Sequence, residues 1–457
     1  MAKLDARRCY NSGRATGFHA LEFTRTMATV ENQIPPGPAE KYSSSDDLLQ
    51  WMAAHFEQYG DIYKASVYGS NVYVISAPRY VEHVLLRNWQ NYARKGQVVR
   101  RIALLLGNGL IASNGDFWAS QRRMIQPAFT RTAISALMHI VKDANAELLA
   151  KWKRAALDNI SVNVTRDVSD MVLKVTLTSI FGDDYDIVAQ HFNILTEESA
   201  RDLQFAQAFR PLGEVIVRIA ARRRQENKPG LDILSTLVQA RSRDRGEAMS
   251  DAQLAKETMT LIVAGHETTS SALNWIWYLL SKYPDVEAKL AKELGCLRGR
   301  DIPPLDGLGK FTYACGVIDE ALRLYPPLWL MTRHALKDDR LGDYFVPAGT
   351  EIYISPYLIQ RNPGFWETPE RFDPERFDVD NARGRPRLST CPFGSGPRNC
   401  IGELFAQTEM QIHLMTIAPE LRLRNDESKS PELVAGMNLL SKHDFTMTPE
   451  IRPLAAS

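Results

Sequence analysis

The sequence Phe393-Gly-Ser-Gly-Pro-Arg-Asn-Cys-Ile-Gly402 is followed at once by a helical pattern from Glu403 to Ile417. Cys400 is therefore predicted to lie at the start of a helix, where free backbone N–H groups and the positive end of the helix dipole favour a thiolate over a thiol. Gly394 and Gly396 allow the loop before it to turn tightly. The pattern indicates a cysteine that is presented as an anionic ligand.

Two further residues of this loop indicate what the sulfur would face. Gly402 lets a flat group lie against the helix, and the guanidinium of Arg398 can bind a carboxylate through two hydrogen bonds. An anionic sulfur is a ligand for iron, and a thiolate on haem iron favours cleavage of the O–O bond. A buried structural cysteine is the alternative, but five fixed residues in ten make it the weaker interpretation.

The composition is that of an ordinary globular protein, with 457 residues, 44% hydrophobic and 24% charged, and a formal net charge of +1. Such a balance gives no general attraction to nucleic acid, and no zinc-ligand spacing is present. The five cysteines are few and scattered, which favours a reducing compartment, the cytoplasm, over a disulfide framework. Without a run of about 20 apolar residues, no membrane association is expected.

The start of the chain differs from the rest. Residues 1–34 mix arginines with small residues and are expected to form a poorly ordered extension, in which Met27 is an alternative start. After the extended Ile34-Pro-Pro-Gly-Pro38 stretch no polar linker divides the chain. Residues 35–457 are therefore predicted to form one domain.

Helical patterns dominate this domain, so we predict a mainly α protein with a small β region. The expected strands are Tyr63 to Ser76, with a hairpin turn at Gly69-Ser-Asn71, and Glu351 to Ser355. The expected helices are Ser45 to Tyr59, Arg79 to Asn88, Phe117 to Gln126, Ser135 to Ala156, Thr165 to Phe181, Leu212 to Glu226, Asp232 to Arg243 and Pro284 to Leu294.

One helix is predicted to be much longer than the others. Ser250-Asp-Ala-Gln253 has the pattern of a capping box, and the apolar periodicity continues until Pro284. At about 1.5 Å per residue this helix would extend roughly 50 Å and cross the domain. It is expected to be central and buried.

The middle of this helix carries Ala264-Gly-His-Glu-Thr-Thr269. Glycine and adjacent threonines are poor helix formers, which suggests a local opening, although close packing at Gly265 with Glu267 exposed is the alternative. A threonine hydroxyl turned into the opening and backed by a carboxylate could hold water and transfer protons. His266 is expected to be a hydrogen-bonded core residue and not a metal ligand.

Phe393, Gly396, Arg398, Cys400 and Gly402 together resemble the haem-ligand loop of the cytochrome P450 family. Other motifs agree in the same order from about residue 35 to the C-terminus, so the resemblance implies the cytochrome P450 fold. It implies that the cysteine is the axial ligand of the iron of haem b. It also implies that the arginine binds a haem propionate and that the phenylalanine packs beside the sulfur.

The resemblance assigns further residues to the haem. In Trp118-Ala-Ser-Gln-Arg122 an indole and a guanidinium stand at i and i+4 and can point the same way toward an anion, and the family uses this pair for a propionate. Arg333 is implied as a second propionate contact, and Ala264 and Gly402 as residues beside the haem.

Two more pairs resemble family motifs. Thr268 and Glu267 are similar to the alcohol and acid that deliver protons, and are therefore the implied catalytic residues. Glu320-Ala-Leu-Arg323 resembles the family's buried ion pair, with Arg376 as its third member, and its implied role is structural.

Two arginine groups lie outside these motifs. Arg222-Arg-Arg224 is expected to be solvated at a helix end. A candidate docking face for an acidic electron donor is formed by Arg383, Arg385 and Arg387.

The resemblance implies a monooxygenase that uses O2 to hydroxylate or oxidatively couple a small, largely apolar substrate in specialised metabolism. Electrons are expected from a ferredoxin and its NAD(P)H-dependent reductase, and the protein is expected to be a monomer. The segments expected to face the substrate are mostly apolar and fit lipids, terpenoids, polyketides or aromatic peptides: Val98 to Leu106, Leu203 to Leu212, Ala264, and Leu328 to Thr332.

Two alternatives stay open at this point. A haem-thiolate enzyme could use peroxide or rearrange an oxygenated substrate, although such relatives often lack the acid and the threonine. A haem sensor without enzymatic activity would need neither a deep cavity nor a proton relay.

Overall fold

The computed structural model describes residues 33–43, 47–192, 201–226, 230–243, 246–425 and 430–453, and gives no side-chain surroundings for 201–210. Nearly all of the expected N-terminal extension, including Met27, lies outside the described residues. The helices are α1 (Leu48–Tyr59), α2 (Pro78–Glu82), α3 (Gln97–Leu106), α4 (Gly115–Ile125), α5 (Arg131–Leu157), α6 (Val164–Phe181), α7 (Tyr185–Ala189), α8 (Arg201–Glu226), α9 (Ile233–Gln239), α10 (Asp251–Lys282), α11 (Pro284–Leu294), α12 (Leu305–Leu308), α13 (Thr312–Leu324), α14 (Pro356–Ile359), α15 (Val379–Ala382) and α16 (Glu403–Ile417).

The strands are short and form a minor part of the fold. They are β1 (Ile62–Val67), β2 (Ser70–Ile75), β3 (Tyr92–Ala93), β4 (Val162–Asn163), β5 (Met331–Ala335), β6 (Asp339–Leu341), β7 (Tyr344–Val346), β8 (Glu351–Ile354), β9 (Leu421–Arg424), β10 (Leu433–Ala435), β11 (Leu439–Ser441) and β12 (Thr446–Ile451). The largest sheet has the order β1-β2-β8-β5-β3, in which only β2 and β8 run parallel. The predicted fold class, mainly α with a small β region, is confirmed.

Helix α10 is the predicted central helix, and it is 32 residues long. Its start is confirmed, because the Ser250 side chain accepts a hydrogen bond from the N–H of Gln253. Gln253 does not return the bond as a capping box would. Its amide donates instead to Asn108 O and to the carboxylate of Glu257. The helix packs against α6, α8, α13 and α16, and most of its length is buried.

Several predicted boundaries shift for local reasons. Helix α5 begins four residues earlier than predicted because Thr130 caps it. Helix α9 ends earlier than predicted, and the chain after it continues into a β-bridge between Arg241 and Ala248. Helix α8 continues through Pro211, where the sequence predicted a start. The hairpin turn lies at Tyr68 and Gly69, both with positive φ, and not at Gly69-Ser-Asn71.

The predicted buried ion pair lies at the centre of the molecule. Arg323 Nε is 2.6 Å from Glu320 Oε2, and both side chains are completely buried. Arg323 also donates to the carbonyl of Gln360, at 2.7 Å. The third predicted member, Arg376, places Nε 3.3 Å from Glu320 Oε1. The network joins α13 to the segment that leads toward the cysteine loop.

One expectation about surface charge is wrong in part. Arg223 is not solvated, because its side chain is only 11% exposed and lies between Asp184 and Asp232 at 2.9 and 2.6 Å. Arg222 and Arg224 are also paired, with Asp184 and Asp251. In the candidate docking face Arg385 lies over the ring of Trp366, 4.1 Å from its centroid, whereas Arg383 and Arg387 are exposed. Among the residues that the structure describes, no helix combines the length and apolar character needed to cross a membrane.

Candidate active site

A cavity of about 320 Å³ lies between the cysteine loop and the middle of α10. Its wall is mostly apolar and includes Ile102, Leu106, Leu110, Leu261, Leu328 and Met331. Eight of the residues predicted from the sequence line it: Trp118, Arg122, Ala264, Thr268, Phe393, Arg398, Cys400 and Gly402. These residues come from three separate stretches of chain, α4, α10 and the cysteine loop, so the fold gathers them in one place.

The cysteine loop is held in shape by its own backbone. The N–H of Cys400 donates to the carbonyl of Phe393 at 2.9 Å, and α16 begins three residues later, at Glu403. Gly396 has a φ of 76°. It lies so close to the helical turn that follows α2 that a Cβ at this position would be 2.1 Å from Leu85 O. The loop therefore requires glycine at this position.

This requirement gives a stability prediction. Gly396→Ala should lower the free energy of unfolding by about 3 kcal/mol, since it combines an unfavourable positive φ with a clash against backbone. Gly394→Ala is the matched control. Its φ is 71°, but its Cβ would meet only the flexible Met331 side chain at 3.6 Å, so we expect a loss of about 1 kcal/mol. Denaturant unfolding measures both, and equal losses would contradict the clash.

The surroundings of the Cys400 thiol act in opposite directions. Burial raises the pKa of this thiol, and this effect is larger than the lowering by the Gly402 N–H, Arg122 and Arg94. The Gly402 N–H at the start of the helix thus lowers the pKa of the thiol, as the sequence predicted, but burial acts against it.

Four arginines surround the same space without an acidic partner. Arg94, Arg122, Arg398 and Arg333 donate to carbonyl and amide oxygens, such as Arg398 to Ser113 O at 2.7 Å and Arg122 to Asn399 O at 2.8 Å. Burial lowers the pKa of all four, to about 9 for Arg398 and about 10 for Arg94, and repulsion from neighbouring arginines lowers the pKa of Arg94, Arg333 and Arg398 further. None pairs with a carboxylate among the described residues.

Such a cluster fits a bound group that carries its own negative charges. Buried guanidiniums are stable only when an anion compensates them, and the propionates of haem are carboxylates. Gly402 adds a second observation, because a Cβ there would make only an ordinary contact, 3.7 Å from Phe129. Protein atoms therefore do not explain this glycine, whereas a flat group in the cavity would.

The sequence missed one of these arginines, and the four do not lie at the same depth. Arg94 lies on the cavity wall, while Arg333 is buried in β5 behind it and does not line the cavity. Arg94 follows β3 in a segment without a recognised motif. The residue that could have indicated the position of Arg94 is Asn114, because its side-chain amide exchanges two hydrogen bonds with the Arg94 backbone.

The two predicted catalytic residues occupy different positions on α10. The Thr268 hydroxyl lines the cavity and donates to the carbonyl of Ala264 at 2.7 Å. The neighbouring Glu267 does not line it. Its carboxylate accepts a hydrogen bond of 2.6 Å from the amide of Asn438, which does line the cavity. The sequence did not predict Asn438.

His266 is hydrogen-bonded, as predicted. Its Nε2 lies 3.0 Å from Ser169 Oγ and 3.1 Å from Ser169 O, which ties α10 to α6. Within the described ranges, no group of three or more His, Cys, Asp and Glu side chains is arranged to hold a metal ion by itself.

Comparison with known proteins decides the family. The cytochrome P450 family model matches residues 37–212 and 192–447. The chain belongs to the cytochrome P450 family. Membership makes it a monooxygenase-type oxidoreductase of a family that binds haem iron through a cysteine thiolate.

Individual cytochromes P450 are similar over most of their length. The chain is 32% identical over 403 residues to cyclooctatin synthase of Streptomyces melanosporofaciens, covering 82% of this chain and 85% of that protein. It is 32% identical over 402 residues to cyclooctat-9-en-7-ol 5-monooxygenase of the same organism, with the same coverage. The crystal structure of the cytochrome P450DA heme domain matches with a TM-score of 0.81 at 23% identity, covering 92% of this chain and 98% of that one. The P450 fold is confirmed.

The expected substrate-facing segments are only partly on the cavity wall. Ile102 and Leu106 of α3 line it, but Leu104 and Leu105 are exposed to solvent. Leu328 and Met331 also line it. Of Leu203 to Leu212, the side chains up to residue 210 are outside the described set, and Leu212 is buried in the core.

Proposed function

We propose that this P450 is a haem-thiolate monooxygenase that inserts one atom of O2 into a largely apolar substrate. The observation that carries the proposal is one mostly apolar cavity shared by Cys400, the threonine of α10 and three half-buried arginines, Arg94, Arg122 and Arg398, which have no acidic partner among the described residues. Residues 35–457 would form the single catalytic domain, in the cytoplasm and as a monomer.

Within this proposal the protein residues hold haem b and shield it. Cys400 would bind the iron through its sulfur, and Arg94, Arg122 and Arg398 would bind the propionates, with Arg333 adding positive charge from behind. Trp118, Ala264, Phe393 and Gly402 would contact the haem. The bound haem would supply the activation of O2, to which a thiolate ligand contributes electron density.

The remaining residues handle substrate and protons. Apolar side chains on the wall would bind the substrate and exclude bulk water. The Thr268 hydroxyl, which already donates to Ala264 O, can accept a hydrogen bond from water in the cavity. Glu267 would replenish the protons that leave through this hydroxyl.

For the substrate we propose a terpenoid, one of the classes that the sequence left open. The cavity wall is mostly apolar, as a hydrocarbon skeleton requires. A relative at 32% identity also carries a cyclic alkenol, cyclooctat-9-en-7-ol, in its name.

We propose that electrons come from a ferredoxin and its reductase. The pocket behind Cys400, lined by Arg122, Gln126 and Gln407, brings the protein surface close to the sulfur.

Two measurements test this function. The reduced protein should show the thiolate-type Soret shift with carbon monoxide. With ferredoxin, reductase, NADH and cyclooctat-9-en-7-ol as the first probe of a terpenoid panel, one atom of ¹⁸O₂ should enter the product. Turnover driven by hydrogen peroxide but not by NADH would favour the peroxide-using alternative. A protein without haem, or with a histidine on the iron, would exclude the function.

A further inference from the structure

Asn438 lies between the acid of α10 and the cavity. Its side chain is only 4% exposed, lines the cavity, and donates to Glu267 Oε2 at 2.6 Å. The carboxylate of Glu267 does not reach the cavity wall itself. Asn438 therefore links this acid to the cavity that Thr268 lines.

The position of Asn438 is fixed by a hairpin that is attached to α10. The residue precedes β11 in the turn between β10 and β11, where the Gly436 N–H donates to Asn438 O at 3.1 Å. The next residue, Leu439, accepts hydrogen bonds on its carbonyl from Ser271 Oγ at 2.8 Å and Trp275 Nε1 at 3.1 Å. The hairpin is thus bound at two points on the helix.

A single face of α10 makes all of these contacts. Glu267, Ser271 and Trp275 are spaced by four residues, so their side chains lie above one another on one face of the helix. From the other side, Trp329 Nε1 donates to Gly436 O at 2.9 Å, and Leu439 N donates to Pro327 O at 2.9 Å. The turn has little freedom to move, which suits a residue that must hold an acid in one orientation.

The chemistry of an amide matches this position. While one N–H of Asn438 binds the carboxylate, the second N–H and the carbonyl oxygen can bind water or substrate in the cavity. An apolar residue of the same size would fill the space but would leave the acid without this contact. Asn438 is therefore suited to orient Glu267 and to connect it with water in the cavity.

We propose that Asn438 is a positioning residue for proton delivery, which acts by holding Glu267 beside the cavity. This inference rests on the proposed function, because it assumes that Glu267 and Thr268 supply protons during O2 reduction. It adds a residue from the β10–β11 hairpin to a relay that the sequence placed on α10 alone.

The experiment uses O2 itself as the probe. With ferredoxin, reductase and NADH but no organic substrate, O2 and one NADH plus one proton give H2O2 and NAD⁺, whereas O2 and two NADH plus two protons give two H2O and two NAD⁺. Water formation needs twice as many protons per O2 as peroxide formation. Slower proton delivery therefore increases the share of O2 that is released as H2O2.

Asn438→Leu should lower the rate of water formation about tenfold, less than the loss of a whole acid–base group. It should also change the solvent deuterium isotope effect on NADH oxidation. Val434→Leu is the matched control, because it alters an exposed residue of the same β10–β11 hairpin that does not line the cavity and makes no hydrogen bond to the acid through its side chain. We expect the control to behave as the unmodified protein.

The double variant separates positioning from a structural role. If Asn438 acts through Glu267, then Asn438→Leu should have little further effect in a Glu267→Gln background. Additive effects, or an unchanged H2O2 share in Asn438→Leu while Glu267→Gln raises it, would overturn the inference. Carbon monoxide difference spectra of equal size in all variants show that each is folded and holds haem. Failure of the proposed function would differ, because the unmodified protein would then show no NADH-driven O2 consumption.

Discussion

Replacing Cys400 with alanine is expected to abolish the thiolate-type carbon monoxide shift and all NADH-driven product formation. Alanine has no group that can bind iron, and the axial thiolate is the feature that favours O–O cleavage. The cavity itself should remain, because the backbone contact from residue 400 to Phe393 O does not involve the side chain. Difference spectra and product yields, measured on protein with an unchanged far-UV circular dichroism spectrum, test this expectation.

Cys391→Ala is the matched control for that variant. Cys391 precedes the same loop, but it is buried in the core around β2, β5 and β8 and does not line the cavity. Its replacement removes a cysteine at a cost of about 1 kcal/mol in stability and should leave the spectrum unchanged. A thiolate-type shift that survives in Cys400→Ala and disappears in Cys391→Ala would mean that the ligand was assigned to the wrong residue.

The parts of the fold that could be predicted are those with local signals. Ser250 and Pro284 define the long helix α10 because capping and helix termination act within one turn. The ten residues of the cysteine loop contain their own turn-forming glycines and ligand. In contrast, α3 was missed, although Gly96 and Gly107, with φ of 101° and 74°, mark both of its ends. Glycine alone does not distinguish a helix end from any other turn.

The parts of the site that were missed depend on contacts between distant segments. Asn438 meets Glu267 across 171 positions of sequence, and no periodicity in either segment indicates the pairing. The same holds for Arg223. The sequence predicted that it belongs to a solvated run of arginines, whereas in the fold it pairs with Asp184 and Asp232. Sequence patterns report the element on which a charge lies, whereas its burial depends on what the tertiary fold packs against it.

The second large effect is expected at the buried ion pair. Arg323→Met should lower the free energy of unfolding by about 3–5 kcal/mol, because it leaves the carboxylate of Glu320 buried without its main partner. Methionine approximates the length of the arginine stem, so the packing changes less than the charge. Denaturant unfolding of the haem-bound protein measures the loss.

Arg383→Met is a matched control, because Arg383 pairs with Asp380 at the same i, i+3 spacing but with side chains 78% and 88% exposed. We expect its effect to be within about 0.5 kcal/mol. Similar losses in the two variants would show that burial is not the cause.

The charge mechanism also predicts a pH dependence. Burial already raises the pKa of Glu320, and Arg323 opposes that effect, so removal of the arginine should raise this pKa further. A carboxyl whose pKa is higher in the folded state binds more protons there, so stability falls as pH rises from the unfolded value of about 4.3 to the folded value. The loss in Arg323→Met should therefore be larger at pH 8 than at pH 5.

Adding Glu320→Gln to Arg323→Met should remove this pH dependence and recover about 1 kcal/mol at pH 8, since a neutral amide needs no compensating charge. A loss of equal size at both pH values would mean that Arg323 stabilises the core by packing and hydrogen bonds and not by its charge.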